Sequence, residues 1–191
     1  MFQENVSLKE YSNYKIGGAA RYFYVPKTAE EVIEGIKKAK KDGLPVFVLG
    51  GGTNLLISDK GFAGLVIKPE IQVLEEADGK IRVGAGVSVA DLLAFVIERG
   101  LSGLEWAGGL PGTLGGAIRG NAGAFGGEIK DVVEEVGSLY ISGDEPKITR
   151  RGNKESKFGY RSSIFKEKSL GKLGTGPGEI VLEAALSLGK A

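Results

Sequence analysis

GLSGLEWAGGLPGTLGGAIRGNAGAFGGE, residues 100–128, has a glycine at nearly every second or third position, and most of its other residues are small. A dense glycine run loses more conformational freedom on folding than any other sequence and cannot build a core of its own. It is tolerated where the backbone must turn with positive φ or lie flat against something large. The run is not a flexible linker, which would be serine-rich and would lack Leu104, Trp106, Leu110, Ile118 and Phe125. Pro111 pre-sets a turn before Gly112, and Thr113 is placed to cap a short helical turn over 114–118 that includes Gly115 and Gly116. Free N–H groups at such a helix start attract phosphate oxygens. The backbone of this stretch therefore reads as a binding surface.

A second glycine cluster stands upstream. Residues 46–49 form a short apolar strand that runs directly into GGGTNLL at 50–56. Consecutive glycines at a strand end place N–H groups in a concave nest suited to anions. The Rossmann fingerprint does not fit, because Leu55 stands where a third glycine is needed after Gly50 and Gly52. No Gly-Lys-Ser/Thr follows, so it is not a P-loop either. A plain turn needs one glycine, perhaps two, and this one has Gly50, Gly51 and Gly52, followed by Thr53 and the side-chain amide of Asn54.

Around these clusters the pattern alternates. A turn at 14–20 precedes a strand at 21–25, and Thr28 with Glu31 forms a capping box for a helix carrying Val32, Ile33, Ile36 and Ala39 on one face. Lys37, Lys38, Lys40 and Lys41 crowd its end and Gly43 stops it. A strand follows at 65–67. Pro69 marks a boundary between a first unit, 1–68, and a second, 69–191. Strands at 72–76 and 81–85 flank the Asp78-Gly79 turn. Ser88 caps a helix whose stripe is Val89, Leu92, Leu93, Val96 and Ile97. Strands at 136–141 and 147–150 surround a turn at 143–144, and after a loop at 170–178 the chain closes with a strand at 180–188. The 191 residues suit one large domain or two small ones of the α+β class.

Composition narrows the chemistry. The chain has no cysteine and no histidine, which removes disulfides, thiolate catalysis, Cys-ligated clusters, the commonest general base and the serine-hydrolase triad. No metal site is expected. Reactions fall to Arg, Lys, Tyr, Ser and carboxylates or to a bound cofactor, and a glycine-rich cradle with few reactive side chains favours the cofactor. A net charge of +1 gives no sign of nucleic-acid or membrane binding, and the absence of a long apolar run or a signal-peptide core leads to the expectation of a soluble cytoplasmic protein. Near the C-terminus, FGYRSSIFK at 158–166 reads as a strand or extended loop in basic surroundings. Arg161, between Tyr160 and the hydroxyls of Ser162 and Ser163, is placed to be held rigid and aimed at an anion.

Taken together, YSNYKIGGAARYF, VLGGGTNLLISDKGFAGLVI, GLEWAGGLPGTLGGAIRGNAGAFGGEI and FGYRSSIFK resemble, in order, the bacterial UDP-N-acetylenolpyruvoylglucosamine reductases, also called UDP-N-acetylmuramate dehydrogenases. GGGTNLL with GLPGTLGG and NAGA alone would point to the wider family of FAD-binding domains shared with vanillyl-alcohol oxidase (the PCMH type). The resemblance implies a two-subdomain FAD-binding fold with non-covalent FAD. Gly50, Gly51, Gly52, Thr53 and Asn54 would hold the pyrophosphate, and Gly112, Thr113, Gly115 and Gly116 would approach its other side. Asn121, Ala122 and Gly123 would lie along the flavin. NADPH would donate electrons, and a UDP-sugar bearing an enolpyruvyl group would accept them on the way to peptidoglycan. Arg161 would polarise the enolpyruvyl carboxylate, and Tyr160 would line that pocket. The family's protonating Ser, and an assisting Glu, lie in a C-terminal substrate domain whose segment has no counterpart here. Three readings stay open: a reductase lacking that domain, a flavin-binding module without turnover of its own, and an FAD oxidase of the wider family.

Overall fold

The computed structural model describes residues 2–143, 145–167 and 178–191. It begins with a strand that the sequence pattern does not announce, β1 (Gln3–Ser7), whose residues are mostly exposed and carry no alternation of apolar and polar side chains. β1 pairs antiparallel with β2 (Ala19–Tyr24). In α1 (Ala29–Lys41) the Thr28 hydroxyl accepts the Glu31 N–H at 3.2 Å. Glu31 reaches back to the Lys27 N–H at 2.6 Å, one residue before the N-cap itself, so two donors around the helix start find partners. β3 (Val46–Val48) and β4 (Phe62–Ile67) complete a sheet of order β1-β2-β4-β3, in which β4 runs parallel to both neighbours. Parallel neighbours need a crossover of a dozen or so residues. Here that crossover is the loop containing GGGTNLL, which leaves from the carboxyl end of β3, the end of a parallel sheet where ligands characteristically bind.

The second sheet is antiparallel throughout. β5 (Leu74–Ala77) and β6 (Lys80–Gly84) form the hairpin read from Asp78-Gly79, with φ of 54° and 73° at its two central residues. α2 (Val89–Glu98) starts at Ser88, whose hydroxyl accepts the Asp91 N–H at 3.0 Å. Its buried residues are Val89, Leu92 and Val96. Ile97, read as part of the stripe, is 73% exposed, because it stands at the margin of the helix face that meets the sheet. Then come β7 (Leu101–Ser102), α3 (Leu114–Gly120), β8 (Gly123–Ala124), β9 (Gly127–Glu128), β10 (Val133–Tyr140), β11 (Lys147–Gly152), α4 (Ile164–Glu167), β12 (Glu179–Leu186) and β13 (Gly189–Lys190). The sheet order is β11-β10-β12-β6-β5, and β13 pairs with β7. The loop read at 170–178, Gly178 aside, and Asp144 of the turn read at 143–144 lie outside the described residues.

The core explains how the two sheets are held. On one face of the second sheet, Ile81, Val83, Val136 and Leu186 pack with Leu92 and Val96 of α2 and with Leu114 and Ile118 of α3. Leu139, Ile180 and Leu182 pack instead with Val32 and Ile36 of α1 and with Val46, Leu65 and Ile67 of the first sheet. Val66, between Leu65 and Ile67, points the other way, to Leu8, Phe23 and Leu49. All strands of the first sheet precede Lys68 and all strands of the second follow it, yet one buried cluster spans both. This shared cluster fixes the loop after β3 relative to α3.

Candidate functional site

The two glycine clusters, some sixty residues apart in sequence, meet in space. A Cβ on Gly51 would stand 2.8 Å from the Gly112 Cα, one on Gly50 would stand 3.0 Å from the Thr113 hydroxyl, and one on Gly112 would stand 3.3 Å from the Thr53 hydroxyl. Gly52 and Gly112 have φ of 66° and 115°, which L side chains rarely adopt, and a Cβ on Gly52 would overlap the Tyr11 carbonyl oxygen. Gly52 accepts the Asn13 N–H at 3.2 Å, which ties the loop to the turn after β1. Among the described residues, no protein acceptor takes the N–H of Gly50, Gly51, Gly52, Thr53, Asn54 or Gly112. Gly51 and Asn54 are exposed, Gly50 and Thr53 partly so. A run of unengaged backbone donors has the chemistry to receive an anion.

The start of α3 differs from the sequence expectation. Thr113 occupies the N-cap position, but its hydroxyl makes no capping bond. The Leu114 and Gly115 N–H groups are not free, since they donate to Val87 and Ala85 at 2.9 and 3.0 Å and stitch α3 to the second sheet. Gly115 is there for packing as well, because a Cβ would lie 2.9 Å from that of Ala85. Gly116 faces outward with only the Thr113 hydroxyl near it, at 3.7 Å, and a Cβ on Gly120 would meet open space. The exposed face of α3 is therefore floored by glycine and carries one long side chain, Arg119.

Asn121 ends α3 in the left-handed conformation, φ 44° and ψ 62°, and is fully buried. Its amide nitrogen donates to the Gly159 carbonyl at 3.0 Å, and its amide oxygen accepts the Lys130 N–H at 3.3 Å. The Ala122 N–H donates to Ala117, and Gly123 pairs with Glu128 across the β8–β9 hairpin. This segment is braced on all sides.

FGYRSSIFK is neither a strand nor an extended loop. Gly159 and Ser162 exchange backbone hydrogen bonds at 3.0 and 3.1 Å around the two residues Tyr160 and Arg161, and α4 follows at once. Arg161 has φ of 52°, and Tyr160 is 88% exposed. Local hydrogen bonding within a four-residue turn defeats the apparent alternation. The turn is anchored on both sides: Asn121 holds Gly159, and the buried Ser163 hydroxyl donates to the Arg119 carbonyl at 2.8 Å. Lys166 caps the Arg161 carbonyl at 2.6 Å.

The charges around this turn are uneven. Glu128 is ion-paired with Lys130, whose hydrogen bond is the main reason its carboxyl is held below the usual range. The Asn121 amide and the field of Arg161 add to the effect. Lys130 is raised in turn by Glu128. Burial alone pulls Arg119 below its ordinary value. Sequence reading missed Arg119, Glu128 and Lys130. A lone arginine inside a glycine run was the one signal available for Arg119.

Residues 20–144 match the family described as FAD binding domain. The chain is 42% identical over 190 residues to the UDP-N-acetylenolpyruvoylglucosamine reductase of Lactobacillus delbrueckii subsp. bulgaricus, a match covering 97% of this chain and 59% of that protein. It is 40% identical over 185 residues to the same-named protein of Caldanaerobacter subterraneus subsp. tengcongensis, covering 96% and 57%. The chain thus spans a little under three-fifths of the length of these relatives. Among solved structures it superposes on UDP-N-acetylenolpyruvylglucosamine reductase from Thermus caldophilus with a TM-score of 0.78 at 34% identity, over 100% of this chain and 64% of that one. Cholesterol oxidase from Brevibacterium sterolicum follows the same path with a TM-score of 0.65 at 14% identity over 99% and 37%, a likeness of fold alone. The α+β flavin-binding fold and the resemblance read from the motifs both stand on these matches.

Proposed function

Because the chain belongs to the FAD binding domain family, we propose that it is the flavin-binding part of an NADPH-dependent reductase that converts UDP-N-acetylenolpyruvoylglucosamine to UDP-N-acetylmuramate. The relatives of similar sequence carry the name of that enzyme. One observation carries the reading: unengaged N–H groups from Gly50 to Asn54 face Gly112 where two sheets join, leaving donors for a pyrophosphate and no room for a side chain between the loops. The residues fit non-covalent FAD, since without His or Cys the chain has neither of the side chains that commonly tether a flavin.

FAD, when bound, supplies hydride transfer between a nicotinamide and an acceptor. The chain's own residues do the rest. Gly50 to Asn54 and Gly112 hold the diphosphate through backbone donors, and the open face of α3 at Gly116 gives the cofactor a floor. Arg161 meets the acceptor's carboxylate and stabilises negative charge that builds up beside it. Tyr160 lines the same opening. The Ser163 hydroxyl is no candidate for the proton donor, because it is buried and bonded to the Arg119 carbonyl. General acid assistance is worth about 10²–10⁴-fold. The isolated chain therefore binds FAD and turns over slowly. No described helix is long and apolar enough to cross a membrane.

The test is to measure FAD binding, NADPH oxidation and UDP-N-acetylmuramate formation by the 191-residue chain alone, then with the C-terminal domain of a related reductase added. The expected result is a yellow protein, little product alone and a large gain on complementation. A protein that binds no FAD, or whose flavin is reduced by an alcohol and not by NADPH, would sink the proposal.

A further inference from the structure

Arg119 is a cation without a counter-charge. Of the seven arginines in the chain, Arg82 bridges Glu75 and Glu183, Arg150 bridges Glu135 and Glu183, and Arg151 grips Glu179. Arg99 meets Glu98 and lies over the Phe95 ring, and Arg21 lies over Tyr22. Arg161 belongs to the acceptor in the reductase reading. The Arg119 guanidinium finds no carboxylate, carbonyl or ring among the described residues. The residue is exposed, yet enough protein surrounds the guanidinium that burial alone lowers its pKa. A cation that loses water and gains no partner costs stability, and an anion brought by a ligand offsets that cost.

α3 places this cation at a definite point. Leu114, Ala117 and Ile118 are buried, so Gly116 and Arg119, three residues apart, share the opposite, outward face. That face begins at the Gly50–Asn54 loop. The Thr113 hydroxyl lies 3.0 Å from where a Gly50 Cβ would stand and 3.7 Å from where a Gly116 Cβ would stand. Arg119 comes six residues after Thr113, about 9 Å farther along the axis. The far end of α3 is tied to the turn that carries Arg161. The Ser163 hydroxyl donates to the Arg119 carbonyl at 2.8 Å, and the Asn121 amide donates to the Gly159 carbonyl at 3.0 Å. In FAD a ribityl chain of comparable length separates the diphosphate from the flavin ring. With the diphosphate at Gly50–Asn54 and the acceptor at the Arg161 turn, the ring that serves the acceptor lies at the Arg119 end of the helix. Oxidised flavin is neutral on its ring. A ring that has accepted a hydride carries one negative charge, spread over its pyrimidine half. A cation beside it binds the reduced form more tightly than the oxidised one and so raises the potential.

We propose that Arg119 is the counter-ion of the reduced flavin: its guanidinium meets the negative pyrimidine half of the ring and sets the cofactor's potential. The proposal rests on the reductase reading, which gives Arg119 no role. The test is an anaerobic redox titration of the FAD-loaded 191-residue chain against a reference dye, with the affinity for oxidised FAD measured separately. Arg119→Gln is expected to bind oxidised FAD as the unaltered chain does and to hold reduced FAD about tenfold less tightly. For a two-electron couple that tenfold is a potential lower by about 30 mV. Arg119→Lys, which keeps the charge, should recover most of the difference. Lys41→Gln, which removes a charge from the exposed end of α1, should leave the potential unchanged. An unchanged potential in Arg119→Gln overturns the proposal, whether FAD affinity holds in both states or falls equally in both. Loss of oxidised FAD binding in that variant overturns it too, since Arg119 would then serve the fold or the cofactor in either state. A Lys variant no better than the Gln variant also overturns it. The reductase reading fails on a different observation: an unaltered chain that binds no FAD, or whose flavin NADPH does not reduce.

Discussion

Arg161 holds a backbone conformation that its own side chain disfavours, φ of 52° in a turn where glycine would sit at no cost. A non-glycine residue in the left-handed region costs on the order of 1 kcal/mol and persists only where its surroundings impose it. The surroundings are identifiable: the paired bonds between Gly159 and Ser162, the Asn121 strut and the Lys166 cap. Arg161→Gly is therefore expected to leave the fold intact or raise its stability by up to about 1 kcal/mol in urea denaturation, while carboxylate binding is lost. A clear loss of stability would mean that the arginine side chain holds the turn together and is not reserved for a ligand. The neighbours of position 161 singled it out in the sequence; its strain was not legible, because nothing in FGYRSSIFK distinguishes a four-residue turn from a strand.

At the scale of elements, the β8–β9 hairpin shows how charge and packing combine. Gly127 lies against the Trp106 ring so closely that a Cβ would overlap it. Glu128 receives the Asp131 backbone N–H, while Asp131 accepts the Glu128 N–H at 2.8 Å, and this reciprocal cap fixes the turn that leads into β10. Because the Glu128 carboxyl titrates below its ordinary value, chiefly through its bond from Lys130, its contribution is present above the unfolded glutamate pKa of about 4.3. It is lost as pH falls through the lowered folded value. Trp106 is the single tryptophan and sits under the hairpin. Its emission should hold steady from pH 7 to about 5 and change below about pH 4, and Glu128→Gln should remove part of that acid transition. An identical acid transition in the variant would show that other carboxylates govern the hairpin. The hairpin itself was not legible: two-residue strands within a glycine run give no periodicity to read.

For the whole molecule, the consequence of placing the cradle between two sheets is linkage. The loop after β3 belongs to the first sheet and α3 packs on the second, so a ligand bridging Gly50–Asn54 and Gly112 ties both to one free energy. FAD at a hundred times its Kd should stabilise the chain by about 2.7 kcal/mol, seen as a single cooperative transition at higher Tm. Backbone exchange should slow in residues 50–54 and 112 together. Gly51→Val should abolish both effects, since a side chain there strikes the Gly112 Cα, and Lys41→Ala on the exposed end of α1 should leave them unchanged. Acid precipitation should release all the flavin to the supernatant. Protection confined to one loop would mean that the ligand does not span the junction.

The sequence by itself determined the helices α1 and α2, whose caps and apolar spacing are local, the Asp78-Gly79 hairpin, whose turn chemistry needs no partner, and the two glycine clusters as unusual backbone. It also excluded histidine and cysteine chemistry outright. The tertiary structure decided which glycines are open and which are packing devices. Gly51 and Gly115 look alike in sequence, yet a Cβ on one would strike Gly112 in the facing loop and a Cβ on the other would strike Ala85 just after β6. It likewise turned Asn121 into a buried strut and tied the Arg119 carbonyl to the Ser163 hydroxyl. These outcomes depend on contacts between residues some thirty to sixty positions apart, and a glycine's neighbours in space leave no trace in its neighbours along the chain.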